Sequence, residues 1–208
     1  MSPVEPMLIK HLQSVPEIHR SAYVAPGATV CGEVVVGEGS RILHGAVVVA
    51  EGGRVEIGRH CVVMHNAVVR STHKYSTHIS DDCLIGPNAH VVGCELEASV
   101  FVATGAAVFH GAHLGARSEV RINAVVHLKS RLIADATVPI GWVAMGDPAQ
   151  ILPPGEHDRI WSIQQPLDFP QSVYGVERAA PGKTVMPKVM RRLSHLYGSH
   201  VDDEVVSE

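Results

Sequence analysis

The chain has 208 residues, a formal net charge of −4 and 18% charged residues. That is long enough for one domain with a real core, and it carries no basic field for nucleic acid or an anionic membrane surface. No apolar run reaches the length of a membrane span, and the opening "MSPVEPMLIKHLQS" lacks a signal peptide's apolar core, so a cytoplasmic location is expected, with neither nucleic acid nor membrane as partner. Cys31, Cys61, Cys83 and Cys94 contain no CxxC pair, which leaves a zinc ribbon or redox motif unsupported. Aromatic residues make up only 4% of the chain, yet there are 14 His, nine of them between His44 and His127.

Residues 1–16 read as a lead-in. From Val24 an aliphatic residue returns every six positions, through Val30, Val36, Ile42 and Val48, and resumes at Ile57, Val63 and Val69. After a polar break it resumes at Ile79, Ile85 and Val91, then at Leu96, and runs on to Val138. Four positions after most starts the residue is small, as at Ala28, Ser40, Ala46, Cys61, Ala67, Cys83 and Ala89. A helix of about 3.6 residues per turn cannot hold such a period on one face; short strands joined by tight corners can. The aliphatic residue fills the interior and the small one fits beside the bend. Roughly nineteen such units, three to a coil, predict about six coils of an all-β parallel β-helix over residues 17–152. So narrow an interior accounts for the scarcity of aromatics.

The break, "RSTHKYSTH" at residues 70–78, is polar and turn-prone; it cannot fill the interior and must project outward. The tail, residues 153–208, differs from the coil. Pro breaks precede Ile160, Trp161 and Ile163 at helical spacing, and "MPKVMRRLSHLYGSH" (186–200) predicts a second α-helix with Val189, Met190, Leu193, Leu196 and Tyr197 on one side. These helices are expected on the outside of the coil, on this subunit or a neighbouring one, and residues 201–208 are expected to fray.

The hexads from "VAPGATVCGEVVVGEG" to "WVAMGDPAQIL" resemble the left-handed β-helix of hexapeptide-repeat proteins. The entry "IHRSAYVAPGATV" is similar to that of the gamma-class carbonic anhydrases, a resemblance that implies a homotrimer with zinc held by three His in the cleft between subunits. At the positions that match those ligands stand Arg70, in "VMHNAVVR", and Pro87 and Val92, in "IGPNAHVV"; the family's Arg-x-Asp appears as Val49-Ala50-Glu51. Pro and Val offer no ligand atom and a guanidinium repels a cation, so no metal is expected at the usual zinc site, and no carbon dioxide hydration. A second branch, the hexapeptide acyltransferases, is resembled by "RSTH" ending at His73, by the re-entry "ISDDCLIG" and by "VAMGDPA". It implies an acyl-CoA thioester and His73 as general base on an acceptor hydroxyl. This sequence departs from it in Leu84, where those enzymes have Trp, and in the shortness of the insertion. A non-catalytic assembly subunit is the third reading that such a coil allows.

Residues three hexads apart stack. His44 lies over His65 at one corner, and Val49, Arg70, Val92, Phe109 and His127 form one outward column with His110 beside it. The trimer resemblance implies a small-molecule cleft holding Glu51, Arg70, His110 and His127 from one chain and His44, His65 and Thr104 from the next. His73, Arg70, His110 and Glu51 are therefore the catalytic candidates. His127, Arg121 and Thr104 are the substrate-binding ones. His44 and His65, with Glu51 across the interface, would hold a divalent metal at a shifted site. Leu43, Met64, Val92 and Phe109 point outward and call for a cover, which a homotrimer would provide. His11, His19, His157, His195 and His200 lie outside the repeat and receive no role.

Overall fold

The computed structural model describes residues 5–180 and 182–206. It is a parallel β-helix with three faces. On the first, Met7–Lys10, Thr29–Cys31, Val47–Val49, Val68–Arg70, His90–Val92, Ala107–Val108, Val125–Val126 and Val143–Met145 stack in parallel; each of the other faces contributes seven strands. The coil makes about eight turns, where the period predicts about six. The difference arises at the ends. Met7–Lys10 and Glu17–Ile18 stack on Thr29–Cys31 and Val34–Val36, although the turn between His11 and Ser14 and the following Pro16 erase the six-residue rhythm there.

The corners explain the rest of the repeat. The residue before the small position at one corner is Gly27, Gly45, Asn66, Asn88, Gly105 or Asn123, each with φ between 55° and 74°. Gly and Asn enter this left-handed region at least cost. The Asn residues also lie over the glycines: a Cβ on Gly45 would strike Asn66 Oδ1, and one on Gly105 would strike Asn123 Oδ1. Inside, Ile42, Val63, Ile85, Val102, Val120 and Val138 form a fully buried column, each side chain contributing about 1.5–3 kcal/mol by its removal from water. Ser40, Cys61 and Cys83 share a second column. Ser40 Oγ donates to the Gly58 carbonyl at 2.7 Å and the two thiols donate to the Ser80 and Glu97 carbonyls at 3.1 and 3.2 Å. All four cysteines are buried and free.

The tail folds back on the coil. Helix α1 (His157–Gln164) packs beside Val143–Met145, and α2 (Phe169–Tyr174) and α3 (Met186–Tyr197) lie over the first face. On α3, Val189 is buried and Leu193 and Tyr197 are half-buried against the coil, an i, i+4, i+8 stripe of an amphipathic helix, while Leu196, which lines the cavity edge, is 37% exposed. Met190 falls off that stripe and is exposed, contrary to the predicted face. Val92 is 2% exposed, so the cover it calls for comes from this chain's own helices. The C-terminal segment is not frayed as expected. Glu204–Val205 pairs antiparallel with Lys10 and Ile9, and the Val206 amide donates to the Leu8 carbonyl at 2.8 Å; residues 207–208 lie outside the described residues. Among the described residues, no helix is long and apolar enough to cross a membrane.

Candidate functional site

The polar break at residues 70–78 folds as a tight turn. Thr72 and Tyr75 exchange backbone hydrogen bonds of 2.8 and 3.1 Å. The Tyr75 side chain then lies along the corner of the coil over two glycines with positive φ: a Cβ on Gly93 would come within 2.7 Å of Tyr75 Cβ, and one on Gly111 within 3.1 Å of its ring. Buried Ser71 ties this turn to the neighbouring loop, accepting from the Glu51 amide at 3.0 Å and donating to the Gly53 carbonyl at 2.6 Å. The turn, the first face and the tail helices enclose a cavity of about 830 Å³.

Arg70, His90, Val92, Phe109 and His110 form its floor, Tyr174, Arg192, Leu193 and Tyr197 its roof, and Glu51, His73 and Lys74 its rim. Strand register sets the floor, since Arg70 stands between Val49 and Val92 in the outward column. An Arg70 terminal N–H donates to Tyr197 Oη at 2.9 Å, while its Nε has no hydrogen-bond partner among the described residues. His110 is 8% exposed and its Nδ1 is likewise without a partner. Burial, then the charges of Arg70 and His90, push the pKa of His110 down to about 4, so it is a neutral imidazole near pH 7. His90 is lowered too, by burial and then by Arg70. The cations Arg70, Lys74 and Arg192 are opposed in the lining by Glu51 alone, whose carboxylate already meets His200 Nε2 at 3.1 Å. An apolar wall with a guanidinium and neutral imidazoles suits a small molecule bearing an anionic group.

Of the candidates from the sequence, Arg70, His110, Glu51 and His73 all line this cavity. His44 and His65 stack with ring centroids 6.1 Å apart and planes 18° apart, but both are exposed at a different corner, where His44 Nδ1 faces the Pro26 carbonyl at 2.8 Å. Within the chain Glu51 does not join them, being paired with His200. Thr104 is exposed at the His44 corner. Arg121 pairs with Glu119 on the surface, and His127, its pKa lowered by burial, places Nε2 3.2 Å from Gln164 Nε2 of α1. None of these three lines the cavity. Sequence reasoning missed His90, Tyr174, Arg192 and Tyr197. Alternation along "NAHVV" places His90 on the Arg70 face; for the tail residues only an amphipathic pattern was present, which does not say where the helix docks.

Gamma carbonic anhydrase 1, mitochondrial, of Arabidopsis thaliana is 27% identical to this chain over 205 residues, 94% of this chain and 72% of the relative. The probable carbonic anhydrase of Methanocaldococcus jannaschii is 30% identical over 91 residues, 44% of this chain and 57% of the relative. The chain is thus similar to gamma carbonic anhydrases along most of its length, and its parallel β-helix is the fold of the hexapeptide-repeat proteins. No protein-family profile matches it. A solved Bacillus cereus protein, named as an inferred acetyltransferase, has the same fold, with a TM-score of 0.53, 19% identity and coverage of 95% of this chain and 99% of that one. Zinc is the metal that the resemblance implies, and the residues that the resemblance places at its ligand positions do not fit it. Arg70 presents only donors and is hydrogen-bonded to Tyr197, Val92 is a buried hydrocarbon, and Pro87 has no side-chain ligand atom.

Proposed function

We propose that this gamma carbonic anhydrase-like protein binds a small carboxylate-bearing molecule in the cavity around Arg70 and does not hydrate carbon dioxide. The observation that carries this reading is a pair of buried polar atoms without partners, Arg70 Nε and His110 Nδ1, in the lining of one cavity. Buried polar groups are nearly always satisfied, and a carboxylate that drew the Arg70 guanidinium toward the cavity would give its Nε a partner. Arg70 would grip a carboxylate through two parallel N–H donors, and neutral His110 would accept or donate a proton beside it. Titration calorimetry with a panel of small mono- and dicarboxylates tests the reading: binding to wild type that is lost in Arg70→Met supports it, and a panel that binds neither protein refutes it.

Acyl transfer from a CoA thioester is a second reading, favoured by the position of His73. Its exposed ring stands at the rim shared by this cavity and a neighbouring cleft lined by His11, Gly52 and Ser199. Consumption of acyl-CoA by wild type and not by His73→Ala, with His78→Ala unaffected, is the result it requires. A homotrimer in the cytoplasm belongs to the same proposal. Ile122 and Ile140, 44% and 65% exposed beside the His44–His65 corner, offer it an apolar contact, and light scattering gives the mass that decides.

A further inference from the structure

Two coils below Arg70 on the same face, three distant segments converge. His11 opens the turn after Met7–Lys10, and Cys31 ends Thr29–Cys31, one coil on, with Ile9 and Cys31 in register. His200 lies in the 3-10 turn Gly198–Asp202, and Asp203 immediately precedes Glu204–Val205, the strand that docks on Ile9 and Lys10. One ligand atom from each of His11, Cys31, His200 and Asp203 lies within 4.8 Å of all the others. Asp203 Oδ1 is 2.6 Å from His11 Nδ1, Asp203 Oδ2 is 2.7 Å from His200 Nδ1 and 3.9 Å from Cys31 Sγ, and the two imidazoles stack at 4.2 Å. Four donors at zinc bond lengths sit about 3.3–3.8 Å apart around a tetrahedron. To reach that size the short contacts of Asp203 with His11 and His200 would open, while any wider pairs, all within 4.8 Å, would close.

An independent feature points the same way. His200 Nε2 is 3.1 Å from Glu51 Oε2. A carboxylate that holds one ring N–H turns the other nitrogen, as a lone pair, toward a metal, the usual arrangement around metal-ligating histidines. One thiolate, one carboxylate and two imidazoles make a mixed, borderline-soft donor set that suits zinc better than calcium or magnesium. Because four protein ligands fill a tetrahedron, no position remains for water or substrate, which marks a structural site.

We propose that His11, Cys31, His200 and Asp203 form a closed zinc site that fastens the C-terminal segment to the first two coils, with Glu51 orienting His200. Since α3 ends at Tyr197, three residues before His200, the same metal would fix the helix that roofs the cavity. The site stands apart from the carboxylate reading, and neither depends on the other.

The test uses the full chain without an affinity tag, stripped by a chelator and titrated with cobalt(II). The expected result is stoichiometric binding with a thiolate-to-cobalt charge-transfer band in the near ultraviolet and tetrahedral d–d bands in the visible, all displaced by equimolar zinc. Glu51→Gln should keep the charge-transfer band and weaken zinc binding about 10- to 100-fold, the range for loss of an outer-shell partner. Cys31→Ser should lose the band while keeping the far-ultraviolet circular dichroism of the coil. Folded wild type that binds no cobalt, or binds it without the charge-transfer band, overturns the proposal whatever the variants do. A band that persists in Cys31→Ser overturns it as well.

Discussion

Arg70→Met separates a binding residue from a structural one. The substitution removes the hydrogen bond from Arg70 to Tyr197 Oη, 2.9 Å long, and a bond with a charged donor contributes about 1.5–3 kcal/mol. Against this, it relieves a guanidinium with an unpartnered buried Nε beside Val92, Phe109 and Leu193. Desolvation of that kind costs several kcal/mol, and an apolar side chain of similar length often replaces a buried ion without loss. The two effects nearly cancel, so folding stability should change by no more than about 1 kcal/mol, the variant being if anything the more stable. Carboxylate affinity, however, loses the paired N–H donors, about 1.5–3 kcal/mol, or about 10- to 150-fold. Urea unfolding at constant m-value gives the first quantity and titration calorimetry the second. Destabilisation beyond about 3 kcal/mol with unchanged carboxylate affinity would show that Arg70 serves as a latch for α3 and would refute the site.

Other outcomes are expected. Stopped-flow assays should find no carbon dioxide hydration above buffer, because Arg70, Pro87 and Val92 supply no zinc ligand at the usual place; a chelator-sensitive rate would contradict this. His110, held at about 4 in the fold against about 6.5 in the unfolded chain, makes the unfolded state bind its proton first. Its contribution is therefore complete above about pH 6.5 and is lost as pH falls toward 4, by up to about 3 kcal/mol, and His110→Gln should flatten that part of the urea-midpoint profile. Ile85→Ala, in the fully buried column, should cost about 2–5 kcal/mol by chemical denaturation. Gly93→Ala should cost more than Gly141→Ala. Both have positive φ, worth about 1–2 kcal/mol for a side chain, but only Gly93 has Tyr75 Cβ within 2.7 Å of the new methyl, whereas nothing lies within 4 Å of Gly141.

The coil was legible because its cause is local. An inward aliphatic residue, a small residue at the bend and Gly or Asn in the left-handed position recur through most of the turns, and a period of six fits no helix. The first turn was missed because His11–Ser14 and Pro16 interrupt the rhythm while the backbone still stacks. At the site, stacking alone put Arg70 and Val92 in one column, and the break in period drew attention to His73. It could not show that Tyr197 would meet Arg70, since an amphipathic stripe on α3 specifies a buried face and leaves its partner open. The group around Asp203 was invisible for the same reason. His11 and His200 are separated by most of the chain, and only the pairing of Glu204–Val205 with the first strand brings them together.

That last pairing bears on how the molecule ends. A parallel coil leaves a rung of free amides and carbonyls at each terminus, a template on which another copy could continue the stack into a filament. Here both terminal rungs of the first face are answered by a strand running the other way: Glu204–Val205 against the first, Gln150–Leu152 against the last. A reversed strand offers an incoming coil the wrong polarity for a further parallel turn. On this face the coil thus carries its own end plugs, and unpairing Glu204–Val205 from the first strand should open that rung to another copy, seen as concentration-dependent axial association by light scattering.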